Sequence, residues 1–226
     1  MLKYLTIFQI GPVQEFINCA KKTQDYLAGS LIISYLTSLA MVKIESGKPK
    51  GKVIYPSHNP ANDKIYNEAK NVLQSSNKKK PDLSRAPLYG TVPNRFVASF
   101  DSDSDDINSI KSLLKDAEIK VRLEYINILK TAKEVLETAV DKVICDPRYK
   151  KDWDELWHRY LCVYDRTPFL EVYWVISPYE DKSYHIDYKK AELLFGARKA
   201  VRHFVQIEEP GAKCTLCGQH QQLSSN

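Results

Sequence analysis

The chain has 226 residues, 43% hydrophobic and 27% charged, an ordinary globular composition that can bury one large domain or a domain with an appendage. Its net charge of +5 is uneven, with 14 Lys/Arg against 6 Asp/Glu in residues 1–100 and 19 against 22 in residues 101–226; a basic first half suits a polyanion and serves solubility equally well. Five scattered cysteines, at 19, 145, 162, 214 and 217, argue against a disulfide framework and for a reducing compartment.

Met1-Leu2-Lys3-Tyr4 leads straight into a strand pattern rather than a cleavable signal. The longest apolar stretch, Leu31 to Val42, contains Ser34, Tyr35, Thr37 and Ser38 and falls short of the roughly 20 residues of a membrane span. A cytoplasmic protein without a membrane partner is expected.

Leu2 to Ile10 reads as a buried strand, broken by Gly11-Pro12. One long helix is expected from Val13 to Ile44, with Phe16, Ala20, Leu27, Leu31 and Ser34 on one side and a bend or close contact at Gly29-Ser30. Lys52 to Pro56 is a second strand, Asn62 to Gln74 an amphipathic helix, and Arg95 to Phe100 a third strand. Helix is expected to about Ile144 and again over Lys151 to Tyr164, then a strand over Phe169 to Ile176. A last helix, over Ile186 to Val205, should pack through Leu193, Leu194, Ala197, Val201 and Phe204. The order predicts an α+β fold of the ferredoxin-like βαββαβ type with long helical insertions. The expected domain is 1–209, with 210–226 as a loop-like tail that carries Cys214 and Cys217.

Several segments admit two readings. Gln14, Asn18, Lys21 and Asp25 share one stripe of the expected first helix. With the Gly11-Pro12 turn they form either an anion site at a helix start or a capped helix with a solvated face. Asp101, Asp103, Asp105 and Asp106 read as helix capping before Ile107 rather than as a cation cluster. Lys78-Lys79-Lys80 is a solvated loop or an RNA backbone contact, and Arg95 a structural ion pair or a phosphate contact. Cys214-x-x-Cys217 fits half a tetrahedral zinc site with His220 nearby, an unliganded pair, or a redox pair. Cys19, Cys145 and Cys162 read as packing residues.

The run IGPVQEFI, followed by AKKTQDYLAGS, closely resembles the opening of the palm-like region in the large signature subunit of Cmr-type (type III-B) CRISPR effector complexes. Val92-Pro93-Asn94-Arg95-Phe96, Glu171-Val172-Tyr173-Trp174 and Gly211-Ala212-Lys213-Cys214-Thr215-Leu216-Cys217-Gly218 resemble three further family segments in the expected order. The resemblance implies a palm-like domain forming one wall of a cleft for ATP and cyclic oligoadenylate, with Gly11, Pro12, Gln14, Lys21 and Asp25 near the nucleotide. It implies docking to other Cmr subunits, above all the one holding the guide RNA 5′ end, and through them to guide and target RNA. It also implies Cys214 and Cys217 as half of a Zn2+ site, and Mg2+ or Mn2+ on a second palm. The family's HD nuclease domain and Gly-Gly-Asp-Asp motif are not in this sequence, and the chain stops inside the zinc module. The expectation is therefore a fragment, inactive as a synthase alone. The rival reading is a structural scaffold without nucleotide contact.

Overall fold

In a computed structural model, residues 2–18, 20, 22–57, 63–74, 92–102, 107–140, 157, 170–201, 211–215 and 218 are described. The elements are β1 (Leu2–Gly11), α1 (Val13–Asn18), α2 (Thr23–Ser46), β2 (Gly51–Tyr55), α3 (Lys64–Gln74), β3 (Arg95–Ser102), α4 (Ile107–Val140) and β4 (Glu171–Tyr179). A 3-10 turn over Asp181–Ser183 then leads into α5 (Tyr184–Ala200). The four strands form one sheet in the order β2-β3-β1-β4, and every neighbouring pair is antiparallel.

β1 is apolar nearly throughout because both its faces are covered. Tyr4, Phe8 and Ile10 join the larger core with α2, α3 and α4, while Leu5 and Ile7 join a smaller core under α5. Phe8 stacks on Phe96 of β3 at 5.1 Å between ring centres. β4 lies at an edge of the sheet, the place where a strand tolerates a proline such as Pro178.

The long first helix is two helices. α1 has 6 residues and ends at Asn18, and α2 begins at Thr23. The break falls between Asn18 and Thr23, while Gly29 is buried inside a continuous α2. Asp25 explains the restart: its carboxylate accepts the backbone N–H of Lys22 at 3.1 Å, which satisfies one of the N–H groups a helix start leaves open.

α2 has the length and apolarity of a membrane span, with mean hydropathy 1.6 over its most apolar window. In the fold its second half, Ile33 to Ile44, is core. Its hydroxyls are spent locally, as Thr37 Oγ1 donates to the Ile33 carbonyl and Ser38 Oγ to the Ser34 carbonyl, each at 2.9 Å. Ser34 Oγ accepts the Val92 N–H at 2.8 Å. Tyr35 Oη donates to Glu124 Oε1 at 3.0 Å, joining α2 to α4 in the interior. Burial, reinforced by the Glu124 carboxyl, pushes the Tyr35 phenol well above its ordinary range.

Three strand expectations hold with shifted ends, as β2 starts at Gly51, β3 extends to Ser102 and β4 runs from Glu171 to Tyr179. The expected helix over 151–164 and the end of the preceding helix beyond Val140 lie outside the described residues, Trp157 excepted.

α5 turns the other way from expectation. Asp187, Ala191 and Phe195 are its buried residues, whereas Leu193 is 77% exposed and Leu194, Ala197 and Val201 also face solvent. Phe204 lies outside the described residues. The helix carries two apolar stripes, and the aromatic one wins. Tyr184 stacks on Tyr188 at 6.0 Å and meets Tyr179 of β4 edge-on at 5.9 Å, and large rings bury more apolar area per residue than leucine.

Asp187 anchors the start of α5. It accepts Ser183 Oγ at 2.7 Å, Lys190 Nζ at 2.9 Å and the Glu180 N–H at 3.2 Å. The Lys190 bond, then the Ser183 and Glu180 bonds, hold its carboxyl down to about 2. A depressed carboxyl stabilises the fold above its unfolded value, near 3.9, and that contribution disappears as pH falls through the folded value. Acid is therefore expected to loosen the α5 start between about pH 4 and pH 2. The tyrosine near-UV circular dichroism should lose amplitude in that window, and Asp187→Asn should remove the step. An Asp187→Asn protein with an unaltered acid transition would contradict this.

Candidate functional site

Three of the four recognised segments meet at one end of the sheet. Gly11, at the end of β1, pairs with Glu171 at the start of β4, and Gln9 pairs with both Arg95 and Tyr173. Asn94 brackets the last apolar residue of β1: the Ile10 N–H donates to the Asn94 carbonyl, and Asn94 Nδ2 donates to the Ile10 carbonyl, both at 2.8 Å. Each backbone group of Ile10 thus gains a partner just before the chain leaves the sheet.

Around this end the charged groups are engaged. Arg95 forms an ion pair with Glu192 of α5 and stands 5.0 Å over the Phe195 ring. Of its two expected roles, the structural ion pair is the one observed. Arg198 lies 5.6 Å over Tyr173, and Lys199 lies 5.9 Å from the Phe195 ring centre. Trp174 Nε1 donates to Glu118 Oε2 at 3.1 Å; Glu118 also binds Arg122 at 2.9 Å, and Arg122 donates to the Leu170 carbonyl. The Trp-bearing strand is thereby fixed to α4.

The expected nucleotide residues are dispersed over separate elements. Gly11 is buried, Pro12 half-buried, and Gln14 exposed on α1. Asp25 is exposed on α2, with its carboxylate turned back on Lys22. Lys21 lies outside the described residues. The shared stripe is lost because the helix breaks between Gln14 and Asp25, and a 6-residue α1 lacks the aligned peptides that give a helix start its pull on anions. Neither backbone nor space ties position 11 to glycine. Its φ is not positive, and a Cβ placed on it would meet only Glu171 Oε2 at 3.9 Å, an ordinary contact.

Of the expected metal ligands, Cys214 is half-buried and Cys217 lies outside the described residues. The Gly218 N–H donates to the Cys214 carbonyl at 2.8 Å with Gly218 at φ 68°, a left-handed turn that suits glycine. Among the described residues no three His, Cys, Asp or Glu side chains gather as a metal site. Asp101 is a β3 residue rather than part of a helix cap, and Asp103, Asp105 and Asp106 lie outside the described residues. So do Lys78 to Lys80, Cys19, Cys145, Cys162 and His220.

Sequence reading missed the other end of the sheet. Lys3 Nζ bonds Asp181 Oδ2 at 2.5 Å and stands 3.8 Å from Asp101 Oδ1. Its ammonium pKa is raised, chiefly by the Asp181 hydrogen bond. The strand period of two places Lys3 opposite the Tyr4 face, but only the cross-strand register brings Asp101 and Tyr179 beside it.

An antiparallel sheet with helices on both faces, and sequence motifs gathered where its central strand ends, is the mixed α/β class of domain. Residues 5–156 match the family model described as CRISPR-associated protein Cmr2, N-terminal, and the chain belongs to that family. A cryo-EM structure described as the Type III-B Cmr-beta bound to cognate target RNA has a chain that aligns with 96% of this one at 16% identity and a TM-score of 0.48. This chain spans 27% of that chain's length. No curated protein matches the sequence.

Proposed function

We propose that the chain is the first palm-like domain of the large subunit of an RNA-guided type III-B CRISPR antiviral effector complex, where it forms one wall of the cleft for ATP and cyclic oligoadenylate. The observation that carries this reading is the meeting of Gly11, Asn94-Arg95 and Glu171 where β1 ends, in a chain of this family. The strand order supports it: taken from the β4 edge the order is 4-1-3-2, with β3 between β1 and β2, as in the split βαβ, ferredoxin-like arrangement. Gln14 is the exposed amide closest in sequence to the turn. Gly11 and Pro12 line the approach, and Lys21 supplies charge.

Asp25 fits a phosphate poorly, since its like charge repels and its carboxylate already caps α2. That observation favours the second reading, a scaffold on which the motif residues pack the palms and the neighbouring subunit that holds the guide RNA 5′ end. Cys214 and Cys217 would contribute two thiolates to a structural Zn2+, an ion that adds folding energy once four ligands close on it. The Mg2+ or Mn2+ of the synthesis is assigned to the second palm.

The two readings separate in the assembled complex supplied with target RNA and ATP. Gln14→Ala and Lys21→Ala should cut cyclic oligoadenylate at least about tenfold, the loss typical of a mispositioned reactant, while the subunits still co-purify. Weakened co-purification, with product per assembled complex unchanged, would replace the nucleotide reading with the scaffold.

A further inference from the structure

β1 leaves the sheet unevenly. On its β4 side the ladder runs to Gly11, which pairs with Glu171, whereas on its β3 side the register ends with Gln9 against Arg95. One further step of that register sets Ile10 against Asn94, and the Ile10 N–H donates to the Asn94 carbonyl. In an unbroken antiparallel ladder such a pair exchanges two backbone bonds. Here the return bond to the Ile10 carbonyl comes from the Asn94 side chain, with Nδ2 donating at 2.8 Å. The next step would oppose Gly11 with Pro93, which has no N–H to give. The Asn94 amide thus closes the β3 side of the ladder just before the Gly11-Pro12 turn.

That amide is presented from a rigid frame. Val92, itself buried, donates its N–H to Ser34 Oγ of α2 at 2.8 Å. Arg95 is ion-paired with Glu192 of α5, and Phe96 stacks on Phe8 of β1. The residues on either side of Asn94 are therefore fastened to α2, α5 and β1, which locks the direction of its side chain. Ile10 is fully buried, so water does not stand in for the amide at its carbonyl, and losing the donor forces the chain end to move. The bond from Val92 to Ser34 also ties the segment to α2, on which α1 packs. One short segment thus sets the end of β1 and the helices after it relative to each other.

The geometry points to Asn94 as a positioning residue for the proposed nucleotide wall, a role that rests on the nucleotide reading above. Its side-chain amide fixes the direction in which Gly11, Pro12 and Gln14 leave the sheet, and so where Gln14 stands. Asn94 acts through the Ile10 backbone, with no contact of its own to the nucleotide. What the position requires is a donor for a carbonyl oxygen, rather than a side chain of a given size.

The test uses the assembled complex with target RNA and ATP, and counts product per assembled complex. Asn94→Asp keeps the size, loses the donor at neutral pH and sets a carboxylate against the Ile10 carbonyl. It should cut cyclic oligoadenylate at least about tenfold, the loss typical of a mispositioned reactant. Asn94→Gln keeps an amide donor on a longer stem and should retain more product than Asn94→Asp. Gln14→Ala removes the group that Asn94 is argued to place, so adding Asn94→Asp to it should lower product by less than about threefold further. Hydrogen exchange in the same complex gives a readout that does not depend on ATP. In Asn94→Asp the amides of residues 10–14 should exchange at least about tenfold faster, while those of residues 4–8 keep their rates. Full product from Gln14→Ala would overturn the nucleotide reading and the role of Asn94 with it. Full product from Asn94→Asp beside an impaired Gln14→Ala would overturn the role of Asn94 alone. So would losses that multiply in the double variant, unaltered exchange at residues 10–14, or Asn94→Gln no better than Asn94→Asp.

Discussion

Replacing Gly51 with alanine is expected to lower the melting temperature clearly, while Gly11→Ala leaves it in place. A Cβ on Gly51 would overlap Ile44 Cγ2 and stand 2.8 Å from the Phe100 ring, and both neighbours are fully buried in the larger core. Overpacking of this kind costs about 1–3 kcal/mol, and a chain of this size loses about 2–4 °C per kcal/mol. At Gly11 the added methyl finds only Glu171 Oε2 at van der Waals distance, so the change should stay within about 0.5 kcal/mol. Thermal melts of the two variants side by side are the measurement. A stable Gly51→Ala protein, or a strongly destabilised Gly11→Ala protein, would show that the close approach of β2 to α2 is misplaced.

Tyr35→Phe should destabilise by a similar amount for a different reason. The substitution preserves nearly all the apolar volume and removes the one hydroxyl that reaches Glu124 Oε1. Glu124 is buried and, among the described residues, keeps the Asn127 amide at 3.4 Å from Oε2. Leaving a buried acceptor short of a partner costs about 1–3 kcal/mol. Replacing both groups, in Tyr35→Phe with Glu124→Leu, should recover part of the loss, because no stranded carboxyl remains. Chemical denaturation of both singles and the double gives the coupling. If the loss in the double equals the sum of the two single losses, the Tyr35–Glu124 bond carries no joint stability.

The elements whose residues announce themselves locally were legible in the sequence. β1 reads as a strand because a nine-residue run rich in branched and aromatic side chains ends at Gly-Pro, and α4 because a long amphipathic run contains no glycine or proline. The break after Asn18 was hidden, since Cys19-Ala20-Lys21-Lys22 holds no breaker and the restart depends on the Asp25 carboxylate folding back on Lys22. The orientation of α5 was hidden in another way. Its sequence offers a leucine stripe and a tyrosine–phenylalanine stripe, and only the rings of β4 beneath it decide between them. The meeting of the motifs at the end of β1 was legible in order but not in space, because Asn94 reaches Ile10 across 84 positions. The Lys3 cluster had no local signal at all; it exists because residues 3, 101 and 179 share one face through strand register.

That register also sets a timetable. β1 is made first and lies inside the sheet, yet its partners come late: Leu2 pairs with Ser102, and Lys3 with Tyr179. At a synthesis rate of about 5–20 residues per second, β1 waits about 5–20 s for one neighbour and about 10–35 s for the other. For that interval the most apolar strand of the chain has unpaired edges, held only by the collapse of α2 upon it. Both pairings of β1 are non-local, and folding that must close such long loops is slow. The nascent chain is thus at its most adhesive while residues 103–170 are being made, and a ribosome-stalled product ending there should bind chaperones that one ending after Ala200 does not.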